Sequence, residues 1–223
     1  MSMPLWQHPL MHTFADGALR PGGLERTKKT YDTLALPKGA SILDAGCGTG
    51  ITGVFLQKTY DARVTGIDSS QEHVLQTQAK GIAAILGRIE QLPFASGTFS
   101  ITNCDCVLSL ASDTQSTLQE FNRVLLPNGL LVLSDLYRRT QSSRRLTSAS
   151  GCEKKALSLY DLKAMLTASG FTLLRLIDCT KDLKELTAKL IFTGIKTGCS
   201  SGECSTSYNP DIGYLQIIAG KMG

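Results

Sequence analysis

Short apolar runs alternate along this chain with stretches in which apolar residues recur every three or four positions. Runs ending at Ile42–Leu43 and covering Arg63–Ile67, Ile82–Leu86, Phe99–Cys104, Leu130–Leu133, Phe171–Ile177 and Ile212–Ala219 read as strands. Between them, Leu24, Tyr31 and Leu34 mark a helix over Leu24–Leu36, and Val54 and Phe55 open another that runs to about Thr59. Ser69 and Glu72 have capping-box spacing for a third helix. Leu118, Phe121 and Leu125 mark a fourth that stops near Pro127-Asn128-Gly129. Ser158 caps a fifth with apolar positions Leu159, Leu162 and Leu166 and a stop at Gly170, and Leu183, Leu186 and Leu190 mark a sixth. Strands alternating with helices predict an α/β fold, a mainly parallel sheet with helices on both faces.

Residues 1–20 read as an arm or short cap, closed by Pro21-Gly22-Gly23; 1–40 form an N-terminal arm and helix within one domain spanning 1–223. Arg138–Gly151, rich in Ser, Thr and Arg, reads as a lid, and Lys196–Asp211 as a Cys-containing loop. The 223 residues are 42% hydrophobic, enough for one sizeable core. A net charge of +4 without a dense Lys/Arg stripe gives no nucleic-acid signature. No apolar run approaches the ~20 residues of a membrane span. The first residues lack a signal-peptide core, so a cytoplasmic location is expected, with the seven cysteines as thiols.

Ser41–Gly50 carries the chemistry. Gly46, Gly48 and Gly50 permit a sharp strand-to-helix turn and close approach of a ligand, and free N–H groups at the helix start suit a carboxylate. Dinucleotide enzymes share such loops. Asp44 separates the cases, because its carboxylate repels a pyrophosphate and attracts an ammonium group. A ligand with an amino group, a carboxylate and a nucleoside fits, as S-adenosylmethionine does. Asp68, at a strand's carboxyl end about 20 residues beyond the loop, is placed to accept both ribose hydroxyls. Capping the next helix is its plainer reading.

Asp44 through Gly50, Asp68, the Leu92-Pro93-Phe94 turn and Arg123–Leu133 together resemble a class I S-adenosylmethionine-dependent methyltransferase over about Ser41–Ile177. The resemblance implies a Rossmann-like seven-stranded sheet with its last strand antiparallel. It implies a cofactor site in which Asp44, Gly46, Cys47, Gly48 and Gly50 hold the methionine end, Asp68 and Ser69 the ribose side, and Ile89 and Glu90 the adenine, with Cys104 beside the amino-acid moiety. Arg88 and Ser100 stand where many relatives carry Asp.

Cys106-Val107-Leu108-Ser109-Leu110, Ser134-Asp135-Leu136-Tyr137 and Cys152 before Ala156-Leu157 are similar to the arsenite methyltransferase branch. That resemblance implies that Cys152, with Cys199 or Cys204, holds trivalent arsenic as the methyl acceptor. Gly53 stands where the branch has a further cysteine, and Lys154 and Lys155 where it has small residues. The spacing of Cys199 and Cys204 is wider than a zinc knuckle, with no second cysteine pair or nearby His, so no metal centre is expected.

His8, His12 and His73 form no evident pair with a carboxylate. A thiolate or thiolate-bound arsenic needs no general base, whereas a poorly ionised hydroxyl or amine does. Asp105, Asp135 and Tyr137 stand at strand ends where such a base would be needed. Two alternatives stand beside the soft acceptor: methylation of an ordinary small metabolite, and a non-catalytic S-adenosylmethionine-binding or redox-sensing module switched by Cys199 and Cys204. A small-molecule or metalloid acceptor, with neither nucleic acid nor membrane, is the expected partner.

Overall fold

The computed structural model describes residues 17, 18, 20–139, 152–192 and 209–222. The Arg138–Gly151 lid and the Cys199/Cys204 loop therefore lie almost wholly outside the described residues.

Eight strands form one sheet: β1 (Ser41–Ala45), β2 (Arg63–Asp68), β3 (Ala83–Leu86), β4 (Phe99–Asp105), β5 (Leu125–Arg138), β6 (Leu157–Ser158), β7 (Phe171–Asp178) and β8 (Ile212–Lys221). Their order is β3-β2-β1-β4-β5-β8-β7, and the two-residue β6 pairs beside β5 outside that path. Strands β1 to β6 pair in parallel. β8 runs antiparallel to both neighbours, wedged between β5 and β7. The seven expected strands are present, and β6 is an addition.

Alternating residues send the sheet's two faces into separate cores. Leu43, Cys104, Leu131, Leu133, Leu215 and Ile217 meet α4 (Thr114–Val124) and α6 (Leu159–Ala168) through Leu118, Phe121, Leu162 and Leu166. Ile42, Val64, Ile101 and Val132 meet the other face's helices, α1 (Gly23–Tyr31) and α2 (Ile51–Tyr60), through Tyr31 and Leu56. The remaining helices among the described residues are α3 (Gln71–Ala79), α5 (Cys152–Lys155) and α7 (Thr180–Phe192). Among the described residues, no helix is long and apolar enough to cross a membrane.

Local chemistry moves several expected boundaries. α1 stops at Tyr31 rather than Leu36, with Asp32 as its C-cap. Leu125 begins β5 instead of ending α4. The sheet absorbs Pro127-Asn128-Gly129 as an excursion in which Phe99 faces Leu125 while Ile101 already faces Leu130. Asn128 turns it with φ 61°. Ser70, not Ser69, caps α3, accepting from His73 N at 3.4 Å. Ser158 caps α6 as expected, accepting from Asp161 N at 3.1 Å.

The Leu92-Pro93-Phe94 turn is clamped by α4. Arg123 donates to the carbonyls of Leu92 at 3.0 Å and Phe94 at 2.7 Å, while Glu120 accepts from Leu92 N at 2.7 Å. This turn is a structural fastening between the segment after β3 and the helix before β5.

Candidate cofactor and acceptor site

β1 lies between β2 and β4, where successive connections leave in opposite directions along the sheet, so its carboxyl end is the crevice in which α/β folds bind ligands. A cavity of about 100 Å³ opens there, lined by Gly17, Ala18, Arg20, Asp44, Gly46–Thr49, Ile51, Thr52, His73 and Asp105. That volume suits one end of a ligand, since pockets enclosing a whole small molecule run to ~300–1,000 Å³.

The loop after β1 closes by internal bonds. Gly46 N and Cys47 N both donate to Ile67 O, at 2.8 and 3.1 Å, and Gly50 N donates to Cys47 O at 3.0 Å. Gly48 N donates to Asp68 Oδ2 at 2.9 Å. The amides of Gly46, Cys47, Gly48 and Gly50 are thus engaged within the protein. Gly46 has φ 74°, and a Cβ there would overlap Val107. Gly48, at φ 52°, faces open space.

Asp44 and Asp105 stand on the cavity floor. Asn103 Nδ2 bridges them, donating to Asp44 Oδ1 at 2.9 Å and to Asp105 Oδ2 at 3.1 Å. Tyr31 Oη holds the amide by donating to Asn103 Oδ1 at 3.2 Å. Asp44 Oδ2 is buried and has no hydrogen-bond partner among the described residues. Burial is the main reason the Asp44 carboxyl is pushed up to about 6, against the lowering effect of Asn103. A buried carboxylate oxygen without a donor, on a strand-end residue that lines the crevice, fits the ammonium group of an amino-acid tail.

A polar row continues across the sheet. Cys106 Sγ donates to Tyr214 Oη at 3.3 Å, Tyr214 Oη donates to Ser134 Oγ at 2.8 Å, and Ser134 bonds Asp105. Cys106 takes φ 56° where the chain leaves β4. Burial pushes Cys47 up to about 12 and Cys179 up to about 11, and raises Cys104 and Cys106 well above the ordinary thiol value. All four are free thiols in the structure.

The expected cofactor residues divide into three groups. Asp44, Gly46, Cys47 and Gly48 line the cavity together. Asp68 stands beside them and supports the loop: besides Gly48, it accepts from Ser70 N at 2.9 Å, and its Oδ1 lies 3.3 Å from His73 Nδ1. That contact is a His–carboxylate pair that sequence reading missed, and it bridges β2 to α3. Ile89 is buried in the core, and Glu90 Oε1 accepts from Ser112 N and Oγ, each at 2.7 Å, tying the turn after β3 to the loop after β4.

Three of the expected residues stand apart from the cavity lining. Gly50 does not line the cavity; it caps α2, with φ 79°, and a Cβ there would come within 2.8 Å of Thr77 Oγ1. Ser69 is exposed and is not the cap of α3. Cys104 faces the apolar core, fully buried among Leu43, Ala45 and Leu133, because alternation along β4 gives the cavity to its neighbour Asp105.

On the acceptor side, Asp105, Asp135 and Tyr137 already have partners. Asp135 Oδ2 accepts from Ser109 N at 2.8 Å and Oδ1 from Leu136 N at 2.7 Å, and burial pushes the carboxyl up to about 6. Tyr137 Oη donates to Asp178 Oδ2 at 3.3 Å. Cys152 is the first residue of α5, which lies beside the 3-10 turn Leu108–Leu110 after β4; Lys155 Nζ donates to Ala111 O at 3.2 Å. The Cys152 side chain, Cys199 and Cys204 are outside what the structure describes.

The site missed by sequence reading includes Arg20, assigned there to a loose arm. It is buried, donates to Thr52 Oγ1 at 2.9 Å and to Thr27 Oγ1, and lies 3.2 Å from Asp105 Oδ2. Its only sequence signal is its place beside the Pro21-Gly22-Gly23 break.

Comparison with known proteins agrees with this geometry. Residues 43–133 match the methyltransferase domain family. Phosphoethanolamine N-methyltransferase 1 of Triticum aestivum is 29% identical over 171 residues, covering 71% of this chain and 33% of that protein. An arsenite methyltransferase of Halobacterium salinarum is 29% identical over 150 residues, covering 61% of this chain and 38% of that protein. The chain thus spans only about a third of the length of each. The solved structure of geranyl diphosphate C-methyltransferase from Streptomyces coelicolor, in complex with Mg²⁺, geranyl diphosphate and S-adenosyl-L-homocysteine, superposes with a TM-score of 0.73 at 16% identity, covering 97% of this chain and 84% of that one. Over residues 43–133 the chain is thus similar to methyltransferase domains, and it has the fold of that solved methyltransferase structure.

Proposed function

We propose that this protein transfers the methyl group of S-adenosylmethionine to a small, thiophilic acceptor, with trivalent arsenic or a related metalloid as the favoured chemical class. The supporting observation is the position of α5: it begins at Cys152 and lies beside the 3-10 turn that leaves β4, so the helix that bears this cysteine is anchored at the carboxyl end of that strand. Cys47, Cys104, Cys106 and Cys179 are held as neutral thiols by burial, which leaves Cys152, Cys199 and Cys204 as the candidate ligands for a soft centre. Similarity to an arsenite methyltransferase supports the same reading.

S-adenosylmethionine supplies a methyl group on a sulfonium, whose departing electron pair stays on sulfur and leaves a neutral thioether. The chain's own task is to align and to exclude water. Asp44 Oδ2 offers an acceptor for the ligand's ammonium group, the Gly46–Gly48 turn lets the ligand approach the backbone, and Asp68 offers its carboxylate to the ribose. Thiolates of Cys152 and of Cys199 or Cys204 would hold arsenic with its lone pair free to take the methyl group. No proton need be removed from such a nucleophile, which agrees with the engaged state of Asp105, Asp135 and Tyr137.

Similarity to phosphoethanolamine N-methyltransferases favours a second reading, a small amine acceptor. Arsenite binding and methylation, with a thiol reductant present, separate the two when measured for the wild type and for Cys152→Ser, Cys199→Ser and Cys204→Ser. Loss of arsenite binding at Cys152 and at one loop cysteine, with S-adenosylhomocysteine affinity kept, is the expected result. Wild-type arsenite binding in all three variants would remove the cysteines from the acceptor site.

A further inference from the structure

β3 ends the sheet: among the described residues it pairs with β2 on one side and with no strand on the other. Gly87 N donates to Asp68 O at 2.9 Å. Alternate residues of a parallel strand turn their backbone groups to opposite sides, so Ala83 and Ile85 turn theirs to β2 while Ala84 and Leu86 turn theirs outward. Gln78 of α3 agrees with this parity, its Nε2 donating to Ala84 O at 2.9 Å.

The two ends of the sheet are built differently. β7, at the far end, shifts register between Leu173 and Arg175 and carries that arginine, devices that spoil an edge for further pairing. β3 keeps an unbroken register from Ala83 to Leu86, and no charged residue stands between Lys80 and Arg88. Ile85 and Leu86 are 40% and 50% exposed, and Leu75 of α3 is 55% exposed. Val74 of α3 clusters with Ala84, so this helix covers the face that Ala84 and Leu86 share, and Ile85 takes the other face. Apolar surface thus flanks the open edge on both faces.

We propose that this edge is the interface of a homodimer, in which β3 pairs antiparallel with β3 of a second copy across a twofold axis at Ile85. The strand's own sequence selects a second copy as its occupant. Two registers keep each face of the joined sheet continuous and overlap most of the strand, one centred on Ala84 and one on Ile85. In the first, Lys80 comes level with Arg88 of the second copy, setting like charges together at both ends. In the second, Arg88 comes level with Ile82 and Lys80 with Glu90, small Ala84 lies opposite large Leu86 twice, and the two Ile85 side chains meet on the other face. The Ala84–Leu86 pairs are then the hydrogen-bonded ones, and Leu86 N of the second copy replaces Gln78 on Ala84 O. So short a strand makes a weak, concentration-dependent dimer.

Sedimentation velocity over a series of protein concentrations tests this, with variants at the residue on the axis. The wild type should show a monomer–dimer equilibrium. Ile85→Lys sets two like charges side by side and should leave monomer, as should Ile85→Glu. An equimolar mixture of the two should dimerise again, because unlike charges then meet. Ile85 is exposed, so both variants should unfold at the wild-type temperature. Opposed residues in a non-hydrogen-bonded antiparallel pair have Cα atoms about 4.5 Å apart, within disulfide reach, so Ile85→Cys should give a reducible covalent dimer under mild oxidant that the wild type does not give.

A wild type that stays monomeric at every concentration would overturn the proposal. So would a dimer that Ile85→Lys leaves intact, or folded charge variants that stay monomeric when mixed.

Discussion

Asn103 donates to Asp44 Oδ1 at 2.9 Å and leaves the second oxygen of that buried carboxylate without a partner among the described residues. The pair links a strand-end carboxylate to its neighbour β4 and sets its charge state. Burial holds the Asp44 carboxyl near 6 against an ordinary value of 3.8, with Asn103 and Arg20 lowering it and Asp105 and Asp68 raising it. The folded state therefore binds this proton more tightly than the unfolded chain does. Its contribution to stability is present below about pH 4 and is lost as pH rises to about 6, a difference of about 3 kcal/mol for two units. Ligand binding has the opposite slope, because an ammonium group needs the ionised carboxylate. Affinity for S-adenosylhomocysteine should rise from pH 5 to pH 7. Asp44→Asn should raise the apo protein's stability at pH 7, weaken the ligand and flatten that pH dependence. Calorimetry at three pH values checks the sign, and a flat wild-type profile would count against Asp44 as the ammonium acceptor.

Gly46 and Gly48 should differ although both have positive φ. Gly48→Ala meets open space at φ 52° and should cost only the left-handed strain, about 1–2 kcal/mol. Gly46→Ala adds an overlap with Val107, worth a further ~1–3 kcal/mol. Val107→Ala in the Gly46→Ala background should recover the overlap and leave the strain. Urea unfolding of the four proteins measures the difference; equal costs at the two glycines would refute the packing argument.

Asp68 is expected to serve both fold and ligand. Asp68→Ala removes the acceptor for Gly48 N and Ser70 N, each a charge-assisted bond worth roughly 1.5–3 kcal/mol. The variant should unfold at lower denaturant and bind S-adenosylhomocysteine more weakly. The ribose role is isolated by a 2′-deoxy ligand, which should bind the wild type worse than its ribose parent and the variant no worse. Discrimination that survives in Asp68→Ala would assign Asp68 to loop support alone.

The sequence discloses most of the elements because each strand and helix has a local period, and caps such as Ser158 act over three residues. β5 exceeds its apolar stretch because Asn128 can turn in the left-handed region and let the ladder resume at Leu130. β6 has only two residues and no period to read. The glycine loop and Asp44 are legible through spacing, whereas Arg20 acquires its role from contacts with Thr27, Thr52 and Asp105, the last far away in the chain. The His73–Asp68 pair depends likewise on how α3 returns over β2. Cys104 ends its strand at the site, but that does not fix which face its side chain takes; Cys104 packs in the core and Asp105 lines the cavity.

Transfer of labelled methyl from S-adenosylmethionine, measured in one panel of acceptors, tests the central claim most directly. The panel contains arsenite with a thiol reductant, a small thiol, a primary alkylamine and a phenol. The account predicts label on arsenite, dependent on Cys152, with little or none on the amine or the phenol. Label on the amine or the phenol alone, or no transfer to any acceptor by protein that binds S-adenosylhomocysteine, would contradict it.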